Sequence, residues 1–202
     1  DRLIKEALDL GIVEELVTSN LDKDGIKISE KLMKELSVTE TVFDTMAVVK
    51  KIPNKLESSR ILVLDDIQNP DNLGAVIRSA VAFGFKHIVV SNKSADFYNE
   101  KTIRSSGGAL FHAFIERKDI VNFIIEKKLD GYISLGADAH ESKSKELNSS
   151  KVILVLGNEG NGLNQETKDI LDGLVTIKTN SVESLNVAIA GSILMYEWSL
   201  VI

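Results

Sequence analysis

The sequence contains no cysteine. Disulfides and thiolate metal sites are therefore excluded, and a reducing cytosol is compatible with the chain. Proline occurs only twice, and Pro53 opens a stretch, "PNKLESSR", that lacks any apolar pattern. No secretory signal or lipidation motif is visible in the sequence, and no membrane partner is expected. His87, His112 and His140 have no metal-ligand spacing to one another or to carboxylates, and no metal site is expected. Excess positive charge is missing too: a net charge of −6 and a pI near 5.2 argue against a strongly basic nucleic-acid glove. Local patches on an acidic protein can still bind RNA. The candidates are Lys50, Lys51 and Lys55, then Lys101 and Arg104, then Lys143 and Lys145, each of which charge alone reads as a solvated surface.

A chain of 202 residues, 44% hydrophobic, can build one good core or two modest domains. It opens on Asp1 with residues that already read as helix, and the expectation is that its natural N-terminus is missing. Residues 1–52 read as a small α/β piece: "RLIKEALDLG" is helical up to Gly11, "VEELVTS" ends strand-like, Ser29 caps "SEKLMKELS", and "FDTMAVVKK" ends in a β-branched run. "NLDKDGIKISE" reads as a turn. A linker follows at 53–59, then a main domain over 60–202.

In the main domain "ILVLDD", "HIVVS", "AFIE", "GYISLGA", "VILVLGN" and "LVTIKT" are strand candidates. Helical stretches lie at 72–84, about 98–105, 119–128, 164–172 and 184–202. Short apolar strands alternating with helices predict a parallel sheet covered on both faces. Such sheets hold ligands at the carboxyl ends of their strands, which places the chemistry in the loops after "ILVLDD", "YISLG", "VILVLG" and "LVTIK". "SLNVAIAGSILMYEWSLVI" is apolar almost all round, but Asn186, Ser192 and Glu197 interrupt it and no basic residues flank it. It reads as a helix buried in a core or a subunit interface, not a membrane span.

Three stretches carry the functional reading. In "NPDNLGAVIRSAVAFGF" turn and cap residues run into an apolar helix interrupted by Arg78. In "VILVLGNEGNGL" a buried strand enters a loop with Gly157, Gly160 and Gly162. A phosphate cradle fails there, because no Walker lysine follows and Glu159 would repel phosphate; a dinucleotide fingerprint fails because "DDIQNPDNLG" follows the first strand of the main domain. A structural turn and a ligand loop fit this stretch equally well on its own. In "IKTNSVESLNVAIAG" Ser184 and Asn186 open the last helix; Ser184 can simply be a cap, whereas an amide just inside an apolar helix needs partners.

Taken in order, "DNLGAVIRSA", "LGNEGNGL" and "SLNVAIA" closely resemble the three motifs of the SpoU/TrmH family of RNA ribose 2′-O-methyltransferases, within the SPOUT superfamily. "TIRSSGGALFHAFI" is similar to the family's loop between its second and third strands. Residues 1–52 resemble the tail of an N-terminal substrate-binding domain related to ribosomal protein L30e. The resemblance implies a parallel-sheet α/β domain whose C-terminal part threads a deep trefoil knot, preceded by a partial L30e-like α/β domain. It also implies a homodimer, S-adenosylmethionine as cofactor, and an RNA substrate, with ribosomal RNA ahead of transfer RNA. By position it makes Asn72, Arg78, Glu159, Ser184 and Asn186 the catalytic set. Leu135, Gly136, Gly157, Asn158, Gly160, Ile177 and Leu185 become the cofactor contacts. The family's usual Ile-Pro-Met and glycine before the third motif are replaced here by "IKTN", with Lys178 and Thr179 and no proline.

The resemblance gives Arg78 a task. A ribose hydroxyl is a poor nucleophile that must be aligned and relieved of its proton. The family's proposed mechanism assigns this to the arginine, helped by a substrate phosphate. A guanidinium stays protonated, so Arg78 could instead bind the phosphate and stabilise the developing alkoxide, with Asn72 holding its orientation. Two other readings stand beside the enzyme: an RNA-binding protein of the same fold without transfer activity, and an unrelated nucleotide-binding α/β protein.

Overall fold

The computed structural model describes residues 2–37, 41–51, 56–140 and 149–201. The chain divides into two units, Asp1–Pro53 and Asn54–Ile202. Lys55, Lys143 and Lys145 of the expected basic patches, and residues 53–55 of the expected linker, lie outside the described residues.

The first unit runs α1 (Arg2–Asp9), β1 (Val13–Thr18), β2 (Ile26–Lys27), α2 (Glu30–Leu36) and β3 (Thr45–Val49). Its sheet has the order β2-β1-β3, with β1 parallel to β2 and antiparallel to β3. "NLDKDG" forms the turn between β1 and β2. Asp44 holds it, accepting from Asn20 Nδ2 at 3.2 Å and Lys23 Nζ at 2.7 Å. Ser29 caps α2 by accepting from the Leu32 N–H.

The second unit runs β4 (Arg60–Leu64), α3 (Pro70–Ala82), β5 (His87–Val90), α4 (Glu100–Ser106), a 3₁₀ turn (Ala109–His112), β6 (Phe114–Arg117), α5 (Ile120–Leu129), β7 (Ile133–Ala137), β8 (Val152–Leu156), α6 (Gln165–Ile170), β9 (Gly173–Val175) and α7 (Val187–Ser199). All described pairings in its sheet are parallel, in the order β6-β5-β4-β8-β7-β9. "RILVL" and "VILVL" are almost wholly apolar because both faces of the sheet are covered. On one face Leu62, Leu64, Val152, Leu154 and Leu156 join the apolar side chains of α3 and α7. On the other, Ile61, Val63, Ile153 and Val155 join α5 and the end of α6. Each fully buried side chain of this size contributes about 1.5–3 kcal/mol, so the central strands anchor the unit.

Strand order reverses between β4 and β8. The loop after β4 feeds a helix on one face and the loop after β8 a helix on the other, which leaves a crevice at their carboxyl ends. α3 starts there: Asn69 Oδ1 accepts from the Asp71 and Asn72 N–H groups, and Pro70 sits in the first turn. α7 starts there too, capped by Asn186. Among the described residues no helix is long and apolar enough to cross a membrane.

Two details differ from the sequence reading. β9 ends at Val175, so Ile177 lies beyond the strand in irregular chain. α7 begins at Val187 and not at Ser184. Asn186 therefore lies outside the helix as its cap, its Oδ1 accepting from the Ala188 N–H at 2.9 Å and the Ile189 N–H at 3.4 Å.

Candidate active site

The loop after β8 folds back on itself. The backbones of Asn158 and Gly162 exchange hydrogen bonds of 2.9 and 3.0 Å. A Cβ at Gly157 would collide with the backbone of Gly162 and Leu163, and Gly162 has φ +67°. Here glycine is required by close approach at one end and by backbone conformation at the other. Asn158 packs the loop from within: its Oδ1 accepts from the Gly160 and Asn161 N–H groups, and its Nδ2 donates to the Asp66 carbonyl at 2.9 Å. That last bond ties the loop after β8 to the loop after β4.

Glu159 makes the second tie. Its Oε2 accepts from the Gln68 N–H at 3.3 Å, and its Oε1 from the Asn69 N–H at 3.2 Å and Asn72 Nδ2 at 3.1 Å. Burial works to raise the Glu159 carboxyl. The hydrogen bonds from Asn72 and from the backbone of Glu159, Asn69 and Gln68 outweigh it and hold the group below its ordinary value. Glu159 is thus an ionised acceptor near neutral pH. Asn72 in turn accepts from Asn186 Nδ2 at 3.0 Å. A continuous chain of polar groups runs from the N-terminus of α7 through Asn186 and Asn72 to Glu159, joining all three motif stretches.

A cleft of about 360 Å³ opens beside this chain, within the size range of small-molecule sites. Its wall comes from Ala137–His140 after β7, Leu156–Gly162 after β8, and Val175, Ile177, Thr179 and Glu183–Leu185 after β9, closed by Val187, Ala190 and Leu194 of α7 and by Lys168 of α6. Three of the four loops expected to carry chemistry line it, and the fourth, after β4, is bonded to Glu159. Ile177, Leu185, Val187 and Leu194 give it apolar surface. Glu159 and Glu183 make its described wall acidic, since Lys168 and Asp138 pair with each other at 2.7 Å.

Of the residues singled out from the sequence, Gly157, Asn158, Glu159, Gly160, Ile177, Ser184 and Leu185 lie on this wall. Leu135 and Gly136 do not. Both are buried inside β7, where Gly136 meets Leu163, Leu171 and Leu174; the loop begins only after Ala137. Ser184 caps nothing, since Asn186 has that position.

Arg78 is exposed, although Ile77 and Ala80 beside it are buried. Its guanidinium lies over Gly107 at the end of α4; Gly107 and Gly108 have φ +59° and +94°, and a Cβ on Gly107 would come 3.4 Å from its Nη1. Asn72 does not orient it, because both ends of the Asn72 amide are engaged elsewhere. Six residues turn the helix through about 600°, which sends the two side chains off different sides of α3.

The sequence reading missed Asp65, Asn69, Asp138, His140, Asn164 and Lys168. The run of two aspartates ending an apolar strand, "ILVLDD", is the one signal that could have drawn attention to Asp65. The three histidines separate: His140 is on the cleft wall, while His87 is buried, 2.9 Å from Glu116 and flanked by Phe114 and Phe123. Among the described residues no group of three or more His, Asp or Glu is placed to hold a metal.

Comparison with known proteins places these features in context. Residues 59–196 match the SpoU rRNA Methylase family. The 23S rRNA (guanosine(2553)-2′-O)-methyltransferase RlmP of Bacillus subtilis (strain 168) is 34% identical over 97% of this chain and 85% of its own length. The SpoU methyltransferase AviRb from Streptomyces viridochromogenes, solved with its cofactor AdoMet, superposes with a TM-score of 0.82 at 25% identity, covering 98% of this chain and 87% of that one. An rRNA methyltransferase from Sinorhizobium meliloti gives a TM-score of 0.83 at 25% identity over 96% and 83% of the two chains.

Proposed function

Because the chain belongs to the SpoU rRNA methylase family, we propose that it is an S-adenosylmethionine-dependent enzyme that methylates a ribose 2′-hydroxyl in ribosomal RNA. The observation that carries this reading is the polar chain from Glu159 through Asn72 to Asn186 at the edge of an acidic, partly apolar cleft. The wall suits the cofactor. Ile177, Leu185, Val187 and Leu194 offer apolar surface to a purine, the folded-back loop from Gly157 to Gly162 offers backbone polar groups, and the acid excess favours a ligand with a positive centre over a phosphate. When bound, S-adenosylmethionine supplies a methyl group activated by its sulfonium. The chain's own residues do the rest. Glu159 and Asn72 fix the two loops against each other, and Arg78 offers a protonated fork to a phosphate or to the oxygen that loses its proton.

Calorimetry checks the reading without RNA. The chain should bind S-adenosylmethionine and should give no heat with ATP, because among the described residues the wall holds no phosphate loop and its carboxylates Glu159 and Glu183 repel phosphate. No heat and no thermal shift at millimolar cofactor would remove the cofactor assignment and point to the "IKTN" segment.

The finer architecture belongs to the same proposal. After β9 at the sheet edge, the chain returns through residues 177–186 past the loop after β8 to α7, which packs on α3. That course supports a deep trefoil knot. Residues 1–52 act as an L30e-like RNA-binding unit, since no motif residue lies in them. The enzyme works as a homodimer: α7 buries Val187, Ala188, Gly191, Leu194, Met195 and Trp198, yet leaves Ile189 and Tyr196 along it, and Leu200 and Val201 after it, each more than half exposed. Light scattering at micromolar protein should give twice the chain mass, and a monomer mass would overturn the dimer.

A further inference from the structure

Asp65 is a buried carboxylate that the reading above leaves without a task. It follows β4 directly at 2% exposure, and no described lysine, arginine or histidine pairs with it. A buried charge without a cation is costly unless hydrogen bonds satisfy it. Both of those bonds come from one residue 99 positions away: Asn164 donates its backbone N–H to Oδ2 at 3.1 Å and its Nδ2 to Oδ1 at 2.7 Å. Asn164 occupies the N-cap of α6, where asparagine ordinarily accepts from the first turn of the helix. Its side chain makes no capping bond there. The amide has been diverted from the helix to the buried aspartate.

We propose that Asp65 is a positioning residue: with Asn164 it forms a latch that sets the far end of the Gly157–Leu163 loop, and through that loop the cleft wall and Glu159. Resting on the methyltransferase reading, this gives the loop three fastenings to the chain after β4. Asn158 on the Asp66 carbonyl holds its start, Glu159 on Gln68, Asn69 and Asn72 holds its tip, and Asn164 on Asp65 holds its end. The Glu159 bonds are exposed, and the other two are partly buried; only the latch rests on a carboxylate itself closed off from water, although its donor Asn164 lies at the surface. The carboxylate also fixes polarity. It accepts only, so both Asn164 groups must face it as donors, and the loop has a single register at this end.

The pairing can be exchanged. Asn164→Asp sets two carboxylates against each other. Adding Asp65→Asn restores one acceptor for the backbone N–H at 164 and one donor for the new carboxylate. Asp65→Asn alone is mild, because the Asn164 amide can turn over and present its oxygen. Two readouts test the latch: hydrogen exchange of the 157–163 amides without any ligand, and calorimetric affinity for S-adenosylmethionine. Asn164→Asp should speed the exchange and weaken affinity by roughly ten- to a hundredfold, and the double variant should recover both. Asn164→Ala, which adds no charge, should show the same faster exchange; it and the double variant carry the test if Asn164→Asp does not fold. Wild-type exchange and affinity in Asn164→Ala, or a folded double variant that loosens the loop and binds weakly, would overturn the latch. Absence of cofactor binding by the unaltered chain would overturn the methyltransferase reading instead, and the exchange readout would still judge the latch.

Discussion

Arg78→Ala should keep its fold and its affinity for S-adenosylmethionine while losing methyl transfer to RNA by roughly a hundred- to a thousandfold, the usual loss when one preorganised charged contact is removed from a transition state. The structure separates the two effects. The side chain is exposed on α3, and among the described residues no partner hydrogen-bonds or ion-pairs with its guanidinium. Truncating it leaves no buried group unsatisfied, so stability should change by no more than about 0.5 kcal/mol. Nor does it line the cleft. What it has is a neighbouring backbone: the left-handed pair Gly107 and Gly108 lies beside the guanidinium, close enough that a Cβ at 107 would be in van der Waals contact with it. Arg78→Lys should rescue little, because an ammonium cannot reproduce the planar fork. Single-turnover transfer, melting temperature and calorimetry on Arg78→Ala, →Lys and →Met check this. Near-normal transfer by Arg78→Met would remove the residue from the mechanism.

Arg78 also shows what a sequence can and cannot disclose. Its position in a motif was legible, but not its surroundings. Arg78 interrupts an apolar helix in the sequence, and the folded helix turns it outward, beside the glycine pair that follows α4. The six strands of the second unit were legible because strands buried on both faces become unbroken runs such as "VILVL". Their contacts were less so: Leu135 and Gly136 were placed at the cofactor by resemblance but lie buried inside β7, since a glycine packed against leucines looks the same in sequence as a glycine that faces a ligand. Asn186 read as a polar residue inside a helix, and only the backbone reveals it as the cap. The Asp65–Asn164 pairing was beyond reach, because its members stand 99 positions apart and the aspartate run in "ILVLDD" points to one member without its partner. Pairing at that distance is decided by strand order, and the adjacency of β4 and β8 is a property of the folded sheet.

The same logic of donors and acceptors makes Glu159→Gln the most diagnostic change in the polar chain. The N–H groups of Ala188 and Ile189 fix Asn186 Oδ1 as an acceptor, so its Nδ2 must point to Asn72. Asn72 must then receive with its oxygen and donate with its nitrogen. With the Gln68 and Asn69 N–H groups, three donors converge on Glu159. A carboxylate has two accepting oxygens, whereas a carboxamide has one and turns a donor toward a donor. If the substituted carboxamide keeps its oxygen toward Asn69 and Asn72, its NH₂ opposes the Gln68 N–H. Turned the other way, it breaks the link to Asn72. Either state loses a charge-assisted bond and loosens the loop after β4 against the loop after β8, and transfer should fall by something on the order of a hundredfold. Cofactor affinity should weaken less, because the apolar wall is untouched and the bonds of Asn158 to Asp66 and of Asn164 to Asp65 still hold both ends of the loop after β8. The carboxyl is held below its ordinary value, so its contribution is complete above the usual carboxylate range and is lost only as pH falls through the lowered value. The unaltered enzyme should therefore show no limb from this group between about pH 6 and 9. A rising limb in that window that disappears in Glu159→Gln would make Glu159 a titrating base instead of a fixed acceptor, and unchanged transfer by the variant would take the residue out of the site.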